Sequence, residues 1–233
     1  MREYIVKPLV KEEEVPWDYP TLPKPPFRIL NIAPSNTGKS VLTSYMLGSD
    51  ELPYKKYFKT NVFLFSPTMR LGSMQMPHIK EENIFDSFDV NTIEAIKNEQ
   101  VALVEKYGKK KSVPLLFVLD DVIADLVDKE RKETLKRLYF GIRHYNGSII
   151  LLSQQYKAVP KGVRMNASDT IIMLLASLAE RKAVAEEQPH NEKEFLAILD
   201  EALEDQQYSF LMIRHKNPKK TRYQLRLSNV YLT

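Results

Sequence analysis

The segment Ala33-Pro34-Ser35-Asn36-Thr37-Gly38-Lys39-Ser40 carries a glycine, a lysine and a hydroxyl in the order that binds phosphate. It matches the pattern G-x-x-x-x-G-K-[ST] at every fixed position but the first, where Ala33 stands for glycine. In such a loop, backbone N–H groups and the N-terminus of the following helix surround phosphate oxygens. Residues 33–40 are therefore the expected cradle of a nucleotide, with Lys39 reaching the outer phosphates and the Ser40 hydroxyl ligating Mg²⁺. The Ala33 methyl is a small intrusion, tolerated while the backbone there keeps φ below zero.

Two further constellations complete a hydrolytic set. The apolar run Leu115-Leu116-Phe117-Val118-Leu119 ends in Asp120-Asp121. A buried strand ending in two acids can hold Mg²⁺ through the first, Asp120, mostly by way of water because Mg²⁺ dehydrates reluctantly. The second, Asp121, would sit farther out and orient and deprotonate the water that attacks a γ-phosphate. That second acid argues against a kinase, which transfers to a substrate hydroxyl. The run Ser148-Ile149-Ile150-Leu151-Leu152 ends in Ser153-Gln154-Gln155, and the Gln154 amide can hydrogen-bond both phosphate and attacking water.

These side chains need a scaffold that brings strand ends together. Short apolar runs at 27–32, 61–65, 115–119, 148–152 and 170–175 alternate with amphipathic or polar stretches. This is the pattern of βαβ units, and near-continuous apolar strands imply a mainly parallel sheet covered by helices on both faces. Residues 1–26 hold Glu12-Glu13-Glu14 and six prolines, Pro8, Pro16, Pro20, Pro23, Pro25 and Pro26. Such proline density excludes regular ladders, so an extended arm is expected, either laid along a surface or solvated. Residues 27–233 read as one α/β domain. Its C-terminal extension is helical from about 176 and closes with a β-hairpin, Tyr208–Arg214 and Tyr223–Leu227, around Lys216-Asn217-Pro218-Lys219-Lys220.

Composition removes several alternatives. The 233-residue chain has no cysteine, which excludes disulfides and zinc–thiolate sites. His78, His144, His190 and His215 are scattered and form no ligand pair, so no metal besides Mg²⁺ is expected. No apolar run approaches the ~20 residues of a membrane span, and the first residues do not resemble a signal peptide. Met69, Met74 and Met76 around Pro77 suggest loop packing. The net charge of +4 is mild, so a nucleic-acid surface requires local clusters. Two exist. Lys106, Lys109, Lys110 and Lys111 surround Gly108, and from residue 207 onward Arg214, Lys216, Lys219, Lys220, Arg222 and Arg226 face no acidic residue. Phosphate contacts from such clusters bind double-stranded DNA without reading sequence.

The order of these motifs resembles a known family. The Ala33–Ser40 loop, Phe65-Ser66-Pro67-Thr68, Leu119-Asp120-Asp121, Arg143-His144 before the strand ending Ser153-Gln154, and Val159-Pro160 followed by Val163-Arg164-Met165-Asn166 are together similar to the DNA-packaging ATPases of poxviruses, giant viruses and virophages, within the FtsK–HerA group. The resemblance covers about residues 26–175. It implies a RecA-like (ASCE) P-loop NTPase in which the strand of Asp120 lies between those ending at Ile32 and Phe65, with the Gln154 strand beside the phosphate-loop strand. It further implies an ATP- and Mg²⁺-dependent motor, assembled as a homo-oligomeric ring, that threads double-stranded DNA into a preformed capsid. A capsid vertex protein is an implied partner, and the virion or a viral factory in the host cytoplasm the implied location. The guanine-reading Asn-Lys-x-Asp motif is absent, which favours ATP over GTP. Ring ATPases commonly complete each site with an arginine from the next subunit, stabilising charge that develops on the γ-phosphate. Arg143 is the first candidate and Arg164 the alternate. Two other readings stay open: another FtsK–HerA-type DNA translocase, and a nucleotide-dependent scaffold that does not hydrolyse.

Overall fold

The computed structural model describes residues 17–68, 76, 79–175 and 177–233. Six apolar segments form parallel strands: β1 (Arg28–Ile32), β2 (Val62–Phe65), β3 (Ile84–Phe85), β4 (Leu115–Asp120), β5 (Gly147–Ser153) and β6 (Asp169–Ile172). Three more, β7 (Leu211–Arg214), β8 (Tyr223–Leu225) and β9 (Tyr231–Leu232), continue the same sheet antiparallel. The order is β3-β2-β4-β5-β1-β6-β7-β8-β9. As expected, the Asp120 strand lies on the β2 side of the phosphate-loop strand, and the Gln154 strand β5 adjoins β1. The arrangement is RecA-like.

Among the described residues, seven α-helices cover the sheet: α1 (Lys39–Gly48), α2 (Tyr54–Phe58), α3 (Val90–Tyr107), α4 (Lys129–Gly141), α5 (Lys161–Arg164), α6 (Leu178–Glu186) and α7 (Glu192–Glu204). Strand side chains alternate between faces, so each strand feeds two cores. Leu115, Phe117 and Leu119 pack with Ile93 of α3, Leu135 and Leu138 of α4, Val184 of α6 and Phe195 of α7. Leu116 and Val118 point the other way, towards Met46 and Leu47 of α1 and Tyr54 and Phe58 of α2. Burial on both faces explains why these strands are continuous apolar runs. The helix starts are fixed locally: Asp89, Asp128, Ser177 and Asn191 each accept the backbone N–H three residues on, satisfying one orphan donor per helix. α1, like the short α2 and α5, has no side-chain cap: its N-cap is Gly38, and no acid lies in its first turn.

Differences from the sequence reading are few. The run at 170–175 leaves the ladder after Ile172, where only Met173 adds a further bond, N–H to the Ile32 carbonyl at 3.2 Å. β3 and β9, two residues each, are too short to show a period. Residues 1–16 of the expected arm, and the expected packing of Met69, Met74 and Pro77, lie outside the described residues. The described end of the arm lies against the chain itself. Trp17 packs on Tyr54 and Tyr57 at 5.6 and 5.9 Å. Arg214 Nη1 donates to the Pro20 carbonyl at 3.1 Å, and Gln224 Nε2 to that of Thr21 at 2.8 Å.

Candidate active site

The carboxyl ends of β1, β5 and β4 gather the expected chemistry on one sheet edge, the general place for ligands in open α/β sheets. Backbone bonds lock the three ends level. Ala33 N–H donates to the Ser153 carbonyl, and Asp121 N–H to that of Leu152, each at 3.2 Å. Ala33 is buried, and its methyl packs into the core beside α1 rather than into the loop. Asn36 and Gly38 take left-handed conformations, φ 60° and 97°, and Thr37 Oγ1 donates to the Pro34 carbonyl at 2.7 Å. A Cβ on Gly38 would approach Met173 Cε to 3.2 Å, so the glycine is needed for both conformation and space. Pro34, Ser35 and Ser40 complete the loop at the uncapped start of α1, where backbone N–H groups favour an anion.

Lys39 is only 5% exposed, and its Nζ donates to the carbonyls of Ala33 (2.7 Å) and Pro34 (3.0 Å). Burial lowers its pKa, while Asp121 and Asp120 oppose that shift. Behind it, Thr43 Oγ1 donates to the Lys39 carbonyl at 3.0 Å. Asp120 is 2% exposed, and burial pushes its carboxyl up to about 6, held from going higher by the Ser66 hydroxyl and by Lys39 and raised further by Asp121. Ser66 Oγ, fully buried after β2, donates to Asp120 Oδ2 at 3.0 Å. Ser66 belongs to the family-like segment Phe65–Thr68, and only the pairing of β2 with β4 reveals its partner.

Asp121 stands at φ 52°, which turns it off the strand, and Gln154 Nε2 donates to its Oδ2 at 2.9 Å. The Gln154 amide thus engages the expected base directly. β5 lies between β4 and β1, so with strands ~4.8 Å apart Gln154 occupies the ~10 Å gap between the acids and the phosphate loop. The donor set of Asp120 and Ser40 is all oxygen and suits Mg²⁺. Among the described residues no cluster of three or more His, Cys, Asp or Glu could hold a metal by itself. One carboxylate plus one hydroxyl fits an ion that takes its remaining ligands from water and phosphate.

The alternate arginine, Arg164, is engaged within its own chain. Arg164 Nε and Nη2 donate to both oxygens of Glu187 (3.2 and 2.5 Å), Nη1 donates to the Val159 carbonyl at 2.6 Å, and the guanidinium lies 4.7 Å from the Tyr156 ring centroid. Glu187 also accepts from the Tyr156 hydroxyl at 2.5 Å, and Glu180 from Tyr156 N–H at 2.5 Å. Burial pushes the Glu187 carboxyl up, but hydrogen bonds from Arg164 and Tyr156 outweigh it and hold it low. Through these contacts Arg164 fastens the loop after Gln154 to the C-terminal end of α6 within its own chain. Nothing in the sequence spacing pointed to Glu187.

Arg143 is exposed just before β5. From there to Gln154 the strand rises about 20 Å, so Arg143 lies on the sheet edge opposite its own chain's phosphate loop. The basic segments share that edge. Lys109, Lys110 and Lys111 are exposed in the loop before β4, which Asn146, just before β5, fastens through the carbonyls of Lys109 (3.0 Å) and Ser112 (3.2 Å). Arg214 pairs in register with Asp169, the first residue of β6, so the β7–β8 turn with exposed Lys216, Lys219 and Lys220 closes there too. The Arg214 Nε–Asp169 pair at 2.9 Å anchors that turn.

Comparison with known proteins bears on family and fold. The family model described as "Poxvirus A32 protein" matches residues 14–178. The DNA packaging protein OPG160 of Vaccinia virus (strain Copenhagen) is 34% identical over 140 residues, 59% of this chain and 49% of that protein. Its Monkeypox virus counterpart is 33% identical over the same length, 44% of that protein. The chain spans about half the length of the curated relatives it matches. Among solved structures, the genome packaging NTPase B204 from Sulfolobus turreted icosahedral virus 2 in complex with ATP-gammaS superposes with a TM-score of 0.55 at 15% identity, over 87% of this chain and 97% of that one. EssC (ATPases 2 and 3) from Geobacillus thermodenitrificans gives 0.60 at 13% identity, over 86% and 39%. These likenesses establish the fold as that of RecA-like P-loop ATPases.

Proposed function

The chain belongs to the poxvirus A32 protein family, and from that premise we propose that it is an ATP-hydrolysing motor that translocates double-stranded viral DNA into a preformed capsid. The observation that carries this reading is the convergence of Lys39, Asp120, Asp121 and Gln154 at adjoining strand ends, with Gln154 bonded to Asp121 at 2.9 Å. The loop amides and α1 N-terminus would bind the triphosphate, and Lys39 would exchange its carbonyl partners for the outer phosphates. Asp121 would accept a proton from the attacking water, its carboxylate oriented by Gln154. Movement of Gln154 with the γ-phosphate would pass through Tyr156 and Glu187 to α6. Asp120 and Ser40 would hold a Mg²⁺ ion, which when bound neutralises charge on the β- and γ-phosphate oxygens.

The opposite sheet edge supports the mechanical half of the reading. Lys109, Lys110, Lys111, Lys216, Lys219 and Lys220 would contact duplex phosphates, which gives sequence-independent, salt-sensitive binding. Arg143 is about 20 Å from its own phosphate loop, so any action on a γ-phosphate is on a neighbour's. Head-to-tail contacts of that kind close into a ring when their rotation permits. The capsid vertex is the expected docking partner, and the virion or a viral factory in the host cytoplasm the expected place of work. Steady-state ATP turnover with Mg²⁺, with and without duplex DNA, tests the proposal. Turnover should rise with duplex of any sequence, and the rise should vanish at high salt. ATP binding without turnover under all conditions would instead favour the scaffold reading. Mixing Arg143→Ala with Asp121→Asn subunits, each inactive alone, should restore some activity if the arginine acts across a subunit boundary.

A further inference from the structure

Triphosphate orientation follows from strand order. The acids and Gln154 lie on the β5–β4 side of the phosphate loop, so the γ-phosphate faces that way. The ribose and base must then leave towards the other neighbour of β1, the side of β6 and β7. Two segments reach the same sheet edge there. Met173 and Leu174 follow β6, and because β7 runs antiparallel, residues 205–210 ahead of it arrive beside the phosphate loop.

Tyr208 stands out in that segment. The residue is 62% exposed, yet it lies beside the loop: a Cβ placed on Gly38 would lie 3.6 Å from Tyr208 Cδ1 and 3.2 Å from Met173 Cε. Its backbone is left-handed at φ 62°, which an L-residue with a bulky side chain adopts only where its surroundings impose it. Those surroundings are visible. Ser209 and Phe210 are buried, Arg226 N–H donates to the Phe210 carbonyl at 3.0 Å, and Asp205 pairs with Arg226 at 3.1 Å. Leu174, also exposed, follows Met173 on the neighbouring segment. An anchored backbone therefore presents an aromatic face to solvent at the end of the phosphate loop where a base must emerge.

We propose that Tyr208, with Leu174 beside it and the buried Met173 behind, forms the platform on which the nucleobase of a bound nucleoside triphosphate stacks. The proposal rests on the nucleotide-binding reading above. Stacking on one aromatic face tolerates every base, so the platform supplies affinity rather than choice among bases. It also assigns the α7–β7 segment to the nucleotide site, outside the region that matches the family model.

The test is equilibrium binding, with Mg²⁺, of ATP and of inorganic tripolyphosphate to the wild type, Tyr208→Phe and Tyr208→Ala, alongside thermal unfolding. Tripolyphosphate has the charge but no base. Tyr208→Ala should weaken ATP binding about tenfold, within the range of base–aromatic stacking, and leave tripolyphosphate unchanged. Tyr208→Phe should bind both as the wild type does. Undiminished ATP binding by Tyr208→Ala, or equal loss of both ligands in a variant that unfolds at the wild-type temperature, would overturn the platform while leaving the phosphate loop intact. Failure of the wild type to bind either ligand would instead overturn the nucleotide-binding reading, and the platform with it.

Discussion

Removing the Glu187 carboxylate separates the two tasks that Arg164 could have. In Glu187→Ala the Tyr156 hydroxyl and the Arg164 Nε and Nη2 lose acceptors now at 2.5, 3.2 and 2.5 Å. A hydrogen bond to a charged group contributes about 1.5–3 kcal/mol, and breaking a buried pair from one side costs about 3–5 kcal/mol. The Arg164 and Glu187 side chains keep 11% and 14% exposure, and Arg164 keeps the Val159 carbonyl at 2.6 Å. These features put the cost at the lower end, about 3 kcal/mol. For a chain of this size that corresponds to a fall in Tm of about 6–12 °C. Thermal unfolding of Glu187→Ala, Arg164→Ala and the double variant checks it. The singles should each be destabilised, and the double should cost clearly less than their sum, as for any pair that acts as a unit. Nucleotide affinity should hold while kcat falls, because the loop that follows Gln154 loses its tether. If Arg164→Ala instead abolished turnover at unchanged stability, and Glu187→Ala were neutral, the clamp would be refuted and Arg164 favoured for action on a neighbouring site.

Three further outcomes follow from single contacts. Ser66→Ala leaves Asp120 Oδ2 without its 3.0 Å donor; half-maximal turnover should then need about tenfold more Mg²⁺, the scale of lost support behind a metal ligand, as a Mg²⁺ titration of turnover would show. Gly38→Ala forces a side chain into φ 97° and against Met173; equilibrium unfolding should show a loss of about 1–2 kcal/mol, with nucleotide binding lost as well. Burial, with Arg222 adding, lowers His215 to about 4, Glu187 opposing, whereas the unfolded chain binds that proton near pH 6.5. Its contribution is therefore complete above about pH 6.5, falls as pH drops and levels off below about 4. Denaturant unfolding should show about 2 kcal/mol of this loss at pH 5, and His215→Gln should flatten the profile across that window.

The parts legible in the sequence are those whose chemistry is written on one continuous stretch. The Gly38-Lys39-Ser40 loop, the Asp120-Asp121 strand end and the Gln154 strand end each follow an apolar run long enough to declare a strand, and the β7–β8 hairpin declares itself by two such runs around Pro218. What the sequence hides depends on contacts between distant stretches. Arg164 looks like a free arginine until α6 brings Glu187, 23 residues on, against it. Ser66 acquires its task only because β2 pairs with β4 and sets it beside Asp120, 54 residues away. Tyr208 reads as the start of a strand, and only the reversed direction of β7 shows that it comes back to the phosphate loop. The lysines near 110 and 218 read as two unrelated patches, and strand polarity alone places them on one edge.

ATP binding and steady-state turnover of Asp121→Asn, measured beside wild type and Lys39→Ala with Mg²⁺ and duplex DNA, test the central claim most directly. Lys39→Ala should lose nucleotide binding, whereas Asp121→Asn should bind ATP as the wild type does and fail to hydrolyse it. Turnover by Asp121→Asn at the wild-type rate would contradict the assignment of Asp121 as the base, and with it the account of this strand edge as a hydrolytic site.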